Sequence, residues 1–119
     1  MDHKGNVESE EARIRNLEGW IVRGKVAGIL SVTRSFGDVD LKKWVIAEPH
    51  IRETDLTSDD NLLILACDGL WDVVQDQEAI DLIYNRHLSA KEMSQLLVQT
   101  AIKKGSTDNV SVIVVELYP

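Results

Sequence analysis

Cysteine, proline and aromatic residues are scarce in this chain of 119 residues. It has one cysteine, two prolines and one phenylalanine, and aromatic residues make up 5% of the sequence. A single cysteine cannot form an internal disulfide, which favours a reducing compartment and predicts a cytoplasmic location, with the nucleus as a second compartment. No apolar run approaches the roughly 20 residues that span a bilayer, and the first residues carry no apolar signal segment. We therefore expect no membrane partner.

Acidic residues outnumber basic residues, and the formal net charge is −7 at pH 7. This surplus of negative charge argues against nucleic acid or an anionic membrane as the main partner. Hydrophobic residues make up 44% of the chain and charged residues 28%, which is typical of a globular protein. A chain of this length can form one domain with a modest hydrophobic core.

The predicted elements follow the order helix, strands, helices, strand, which is an α+β pattern with mostly antiparallel pairing. Ser9 is a candidate N-cap of the first helix, and Gly19 is expected to end it. Asp76 and Ser89 are candidate caps of two later helices, and Ser89 has Glu92 at the capping-box spacing. Strands are predicted over residues 20–26, 28–32, 50–55, 62–67 and 109–117, a helical turn with a loop over 33–44, and a helix stop at Gly105.

Two aspartates stand at the ends of the two most apolar predicted strands. The run over residues 61–67 stops at Asp68 and Gly69, and Asp108 stands just before the run over 110–117. Carboxylates at the rim of a sheet can hold a hard cation, and no histidine or cysteine ligand set accompanies them. This pattern favours Mg²⁺ or Mn²⁺ over zinc.

Other interpretations of the same residues remain open at this point. Asp68 with Gly69 is a common turn signal, and Asp108 before a strand can form an Asx turn. Cys67 is predicted to be a small core residue rather than a nucleophile. The pair Asp38 and Asp40 resembles the nucleophile pair of haloacid-dehalogenase-type phosphatases, although no buried strand leads into it.

Four segments, in this order, resemble motifs of the metal-dependent protein serine/threonine phosphatases, the PPM or 2C-type family. They are Asp2-His3-Lys4 followed by Glu11, Arg13 and Ile14; LSVTRSFGD at residues 30–38; LACDGLWDV at 65–73; and GSTDNVSV at 105–112. The resemblance covers almost the whole chain. One departure is Glu18, which stands where the first of two glycines is common in the family.

The resemblance implies a fold as well as an activity. The family fold is an α-β-β-α sandwich of two antiparallel sheets flanked by helices, and residues 1–119 resemble the C-terminal half of that domain, with a flap over residues 23–37. Strands of such a half would lack their usual neighbours, so we expect an exposed apolar face and edges that are completed by strand exchange or oligomerisation. A homo-oligomer or a marginally folded chain is the prediction.

The resemblance also implies a set of metal ligands. Asp68 and Asp108 match aspartates of the family's dinuclear centre, and Asp2 matches the aspartate of a third, weaker metal site. Asn109 is expected to support the site. The implied cofactor is Mg²⁺ or Mn²⁺, the implied substrate is a phosphoprotein, and the implied reaction is hydrolysis of phosphoserine or phosphothreonine by metal-activated water.

The family's phosphate-binding arginine and its Asp-Gly-His-Gly motif belong to a half that has no counterpart here, and no Asp-Gly-His occurs in the chain. We therefore assign no catalytic residue and expect negligible activity from these residues alone. The alternative function is a non-catalytic, pseudophosphatase-like regulatory or binding module.

Overall fold

The computed structural model describes residues 3–84 and 86–117, and the chain forms two compact units, Met1–Glu53 and Thr54–Pro119. Asp2, one of the predicted metal ligands, lies outside the described residues. Within the described part of the chain, no helix combines the length and the apolar character needed to cross a membrane. Each unit has its own small hydrophobic core.

Unit 1 contains one helix, one hairpin and a short 3-10 turn. These are α1 (Glu8–Asn16), β1 (Ile21–Val22), β2 (Lys25–Val26) and the turn Val39–Leu41. The two strands pair antiparallel, with Ile21 opposite Val26. The core is formed by Ile14, Val26 and Val45, all fully buried, with partly buried neighbours around them.

The ends of α1 differ from the prediction. The helix begins one residue before Ser9, with Val7 as the N-cap, so Ser9 lies inside the first turn and the predicted cap is wrong. At the other end, the N–H of Gly19 donates to the carbonyl of Ile14 and the N–H of Glu18 donates to that of Arg15. This is a Schellman arrangement, and it places Glu18 in the left-handed region with φ of 59°.

The predicted strand over residues 20–26 is interrupted by a turn. Arg23 and Gly24 both have positive φ, 52° and 75°, so the chain reverses between β1 and β2 as in a type I′ hairpin. Residues 28–32 form only isolated bridges, at Leu30 and Val32. The helical turn and loop predicted over 33–44 are confirmed by the 3-10 turn.

The predicted strand over residues 50–55 is wrong. The chain has no strand pairing there, and every residue from 47 to 61 is exposed. Among the described residues, none hydrogen-bonds to the backbone of residues 50–55, so the polar groups of these residues are left to water. The polar turn that follows is confirmed, because the side chain of Asp60 accepts hydrogen bonds from both the N–H and the hydroxyl of Thr57.

Unit 2 packs helices against one face of a two-stranded antiparallel sheet. Its elements are β3 (Leu62–Ala66), α2 (Asp68–Trp71), α3 (Asp76–Ile83), α4 (Ala90–Lys103) and β4 (Val112–Glu116). The register pairs Leu62 with Glu116 at one end and Ala66 with Val112 at the other. Fully buried residues such as Leu70, Ile83 and Leu97 form the core between the helices and the sheet.

The two faces of the β3–β4 sheet have different surroundings. Leu62, Ile64 and Val114 face the helices and pack into the core. The opposite face, which we call the apolar sheet face, carries four exposed side chains: Leu63, Leu65, Ile113 and Val115, with exposed fractions of 43%, 52%, 59% and 38%. The exposed apolar face expected from the resemblance is therefore present in unit 2.

The caps of α4 are those that the sequence predicts. Ser89 accepts a hydrogen bond from the N–H of Glu92, and the Glu92 side chain accepts one from the N–H of Ser89, which completes a capping box. Gly105 ends the helix with φ of 91°. By contrast, Gln75 rather than Asp76 is the N-cap of α3, so Asp76 is the first residue of that helix.

Candidate metal site

The two candidate metal ligands of unit 2 lie at the same end of the β3–β4 sheet. Asp68 is the first residue of α2 and follows β3 after one residue, and Asp108 lies in the loop that leads into β4. Because the strands are antiparallel, the end of β3 lies beside the start of β4. The N–H of Cys67 continues this pairing by donating to the carbonyl of Ser111 over 3.2 Å. Both carboxylates are exposed.

Gly69 brings the segment after β3 into close contact with the segment before β4. A Cβ atom at position 69 would lie 2.2 Å from the carbonyl oxygen of Asn109 and 3.0 Å from its carbonyl carbon. Real Cβ atoms do not approach backbone so closely, so only glycine allows this packing. The turn prediction for Asp68 and Gly69 is thus partly right, because this bend also begins the short helix α2, which the sequence analysis missed.

The two carboxylates differ in their hydrogen bonds. Asp108 Oδ1 accepts from the N–H of Asn109 over 2.7 Å, which orients the carboxylate locally, and no described residue donates a hydrogen bond to its other oxygen. Among the described residues, the carboxylate of Asp68 receives no hydrogen bond. Both groups therefore retain oxygen lone pairs for a ligand.

The donor chemistry fits part of a site for a hard divalent cation. Carboxylate oxygens are the ligands that Mg²⁺ and Mn²⁺ prefer, and Mg²⁺ needs about six oxygen ligands. Within the described residues, no group of three or more His, Cys, Asp or Glu side chains could hold a metal. Asp68 and Asp108 could thus supply part of a ligand set that water or further carboxylates would complete.

Cys67 has a polar role that the sequence analysis missed. Its side chain is half-buried rather than a core residue. The Sγ atom donates to the carbonyl of Asn109 over 3.1 Å and accepts from the N–H of Ser111 over 3.2 Å. No local signal predicts these bonds, because they join residues 42 and 44 positions apart.

Unit 1 contains a buried carboxylate in the first turn of α1. Glu10 is 2% exposed. Arg34 donates two hydrogen bonds to it, over 2.6 and 3.1 Å, and Thr33 and Arg13 donate one each, over 2.6 and 3.0 Å. The hydrogen bonds from Arg34 are the largest effect that lowers the pKa of Glu10 from 4.5 to about 2, against the opposing effect of burial.

This cluster is connected to the segment that follows Asp2. The N–H of Thr33 donates to the carbonyl of His3 over 2.8 Å, and the hydroxyl oxygen of Thr33, which donates to Glu10, lies 3.0 Å from the same carbonyl. Lys4 forms an isolated bridge with Val32. The predicted flap segment, residues 23–37, therefore includes the residue that holds the backbone at His3.

The alternative pair, Asp38 and Asp40, does not have the setting that a haloacid-dehalogenase-type nucleophile requires. Asp38 has φ of 48° and precedes the 3-10 turn, with no strand leading into it. Its carboxylate accepts a hydrogen bond from the hydroxyl of Ser35. Both aspartates lie on an exposed loop.

Comparison with known proteins agrees with the motifs. The family model for protein phosphatase 2C matches residues 1–110. The chain is 46% identical over 117 residues to protein phosphatase 2C homolog 1 of Schizosaccharomyces pombe, and 43% identical over 116 residues to the protein of the same name from Saccharomyces cerevisiae. Each match covers 98% of this chain but only 33% and 41% of the respective relative, so the chain spans well under half of their length.

Solved structures show the same fold. A sex-determining protein of C. elegans matches with a TM-score of 0.86 and 32% identity, covering 98% of this chain and 31% of that one. A phosphatase from Toxoplasma gondii matches with a TM-score of 0.85 and 28% identity, covering 96% of this chain and 40% of that one. The predicted α+β fold with antiparallel pairing is confirmed. The chain belongs to the protein phosphatase 2C family.

Proposed function

We propose that this chain provides part of the metal centre of a protein serine/threonine phosphatase that hydrolyses phosphoserine and phosphothreonine in phosphoproteins. The observation that carries the proposal is the contact between Gly69 and Asn109, which brings Asp68 and Asp108 to one end of the β3–β4 sheet. Membership of the protein phosphatase 2C family supports the same function.

The proposed ligands of Mg²⁺ or Mn²⁺ are Asp68 and Asp108, and Asp2 is the proposed ligand of a third, weaker metal site. When bound, such an ion supplies Lewis-acid activation of a water molecule and of the phosphate ester. Asp68 would offer a carboxylate without a competing hydrogen bond, and Asp108 would offer one that is oriented by the N–H of Asn109. The exposure of both groups leaves room for a phosphoprotein side chain to approach.

We propose that these residues alone have negligible phosphatase activity. In the part of the chain that the structure describes, no group of three or more His, Cys, Asp or Glu side chains could hold a metal, and the sequence has no Asp-Gly-His motif. A second candidate function, a non-catalytic binding module, is favoured by one observation, the apolar sheet face of unit 2. We propose self-association through that face, and a cytoplasmic location, where the single thiol of Cys67 stays reduced.

The experiment that tests the metal site is a calorimetric titration of Mn²⁺ into the 119-residue chain and three variants. We expect Asp68→Asn and Asp108→Asn each to weaken binding by at least about tenfold, because each removes one charged ligand from a small set. Asp59→Asn is the matched control, since it removes the same charge from an exposed turn elsewhere in unit 2. Equal affinity of Asp68→Asn and the unmodified chain would contradict the proposed site.

A further inference from the structure

Side chains other than the two aspartates connect the segments that carry them. Ser106 Oγ donates to the carbonyl of Gly69 over 2.7 Å. Cys67 Sγ donates to the carbonyl of Asn109 over 3.1 Å and accepts from the N–H of Ser111 over 3.2 Å. We call these three hydrogen bonds the clasp. Each joins the segment after β3 to the segment before β4.

The clasp holds the loop of Asp108 at both of its ends. At the start of the loop, Ser106 is also anchored to α4, because its N–H donates to the carbonyl of Ala101 over 3.0 Å. After Asp108, the backbone is held at Asn109 by the bond from Cys67. Only Thr107 and Asp108 lie between the two held positions. The conformational freedom of Asp108 is therefore small before any ligand binds.

Cys67 is linked to both carboxylates. On one side it directly precedes Asp68 in the chain. On the other side it holds the carbonyl of Asn109, whose own N–H orients the carboxylate of Asp108 over 2.7 Å. A change in the backbone at Asn109 would shift both its carbonyl, which binds Cys67, and its N–H, which binds Asp108. The thiol thus couples the placement of Asp68 to that of Asp108.

We propose that Cys67 and Ser106 are positioning residues that set the placement of Asp68 relative to Asp108, and that Mn²⁺ affinity depends on them although neither binds the ion. This inference rests on the proposed metal site. The Sγ atom of Cys67 is already used as donor and as acceptor, and the Ser106 hydroxyl is used by Gly69. Mg²⁺ and Mn²⁺ also prefer oxygen ligands to a thiol.

The test compares deletion of each polar atom with its conservative replacement. Cys67→Ala and Ser106→Ala remove the clasp bonds, and we expect each to weaken Mn²⁺ binding by about tenfold, the usual effect of losing a group that orients a metal ligand. Cys67→Ser and Ser106→Thr retain a group that can donate and accept, and we expect both to restore affinity to within about threefold of the unmodified chain. The readout is the electron paramagnetic resonance signal of free Mn²⁺ during a titration.

A matched control separates positioning from simple loss of stability. Ile83→Val removes one methylene from the core near the other end of the sheet, where Ile83 lies beside Leu62 and Glu116. We expect it to lower the melting temperature without changing Mn²⁺ affinity. The proposal is overturned if Cys67→Ala binds Mn²⁺ as tightly as the unmodified chain, or if Ile83→Val weakens binding as much as Cys67→Ala does.

A second readout keeps the test independent of the metal site. Hydrogen exchange of the Ser111 amide reports the clasp directly, because that N–H donates to Cys67 Sγ. If the unmodified chain binds no Mn²⁺, the proposed metal site is contradicted, and hydrogen exchange of the Ser111 amide alone then tests the clasp. Faster exchange in Cys67→Ala that Cys67→Ser reverses supports the clasp, and unchanged exchange overturns it.

Discussion

Among the described residues, Glu10 is the one charged residue that is buried. It is buried in unit 1 and accepts hydrogen bonds from two arginines and a threonine, which together satisfy both of its oxygens. Removing a partner from a buried charged group is far more costly than breaking a surface ion pair, because the remaining charge stays in a poorly solvated site. Nearby, the Nε atom of Arg13 is buried without a hydrogen-bond partner among the described residues.

This environment predicts a specific dependence of stability on pH. The pKa of Glu10 is lowered from 4.5 to about 2 in the folded state, chiefly by hydrogen bonds from Arg34. The ionised carboxylate therefore contributes stability above pH 4.5, about 3 kcal/mol in size, and this contribution is lost as the pH falls from 4.5 towards 2. The measurement is urea unfolding of unit 1 at pH 7 and pH 3, followed through the indole resonances of Trp20 and Trp44.

Glu10→Gln is the informative variant, since it keeps the shape and removes the charge. We expect its stability deficit to be large at pH 7 and to shrink at pH 3. Glu8→Gln is the control, because Glu8 is exposed in the same helical turn. A deficit of Glu10→Gln that is the same at both pH values would contradict the low pKa.

At the scale of elements, the left-handed position at the C-terminal end of α1 is not occupied by glycine, the residue that this conformation favours. Glu18 occupies the left-handed position of the Schellman arrangement, where glycine has no steric cost. The next residue, Gly19, is required for packing, because a Cβ atom there would lie 2.7 Å from both Ile14 and Trp44 side-chain atoms. Position 18 favours glycine because of its positive φ, and position 19 requires glycine because there is no space for a Cβ atom. Only position 19 is a glycine.

We expect Glu18→Gly to stabilise unit 1 by about 0.5–1 kcal/mol, because it relieves the strain of a positive φ at a residue with a Cβ atom. The substitution also removes an ion pair with Lys43, but that pair spans 3.4 Å between exposed side chains and contributes little. Thermal unfolding of unit 1 measures the effect.

Glu18→Ala distinguishes the effect of the ion pair from that of the positive φ, since it removes the ion pair and keeps the Cβ atom. We expect it to leave stability nearly unchanged. A loss of stability in both variants would show that the ion pair matters more than the backbone conformation.

At the scale of the whole molecule, each unit buries few residues, and unit 2 leaves one face of its sheet uncovered. The residues of the apolar sheet face alternate along β3 and β4 with residues that face the core, because successive side chains of a strand point to opposite faces. Four adjacent aliphatic side chains exposed on two paired strands are typical of a surface that another surface covers. The edges of the two-stranded sheet add unpaired backbone groups to this surface.

We therefore expect the 119-residue chain to self-associate at micromolar concentrations. Light scattering coupled to size-exclusion chromatography should give a mass above that of the monomer, and the double variant Leu65→Lys with Ile113→Lys should shift the mass towards the monomer. Ile102→Lys is the matched control, because Ile102 on α4 has the same exposed fraction as Ile113, 59%, and lies on the helical side. A stable monomer at all concentrations would contradict self-association.

The sequence by itself determined the features that depend on neighbouring residues. The capping box at Ser89, the helix stop at Gly105 and the polar turn before β3 follow from side chains and φ preferences within a few positions. The strand cores of β3 and β4 follow from continuous apolar runs, and the two aspartates stand out because Asp68 ends one run and Asp108 stands just before the other. The resemblance to the family motifs then implied that both aspartates are metal ligands.

Tertiary structure alone decided the features that join distant residues. The contact of Gly69 with Asn109, the clasp and the burial of Glu10 each connect segments more than 20 positions apart, and no local preference predicts which of them meet. The unpaired segment over residues 50–55 has a related cause, since a strand exists only where a partner edge is available. Local sequence features therefore identify the proposed ligands Asp68 and Asp108, and long-range packing determines how the segments that carry them are held.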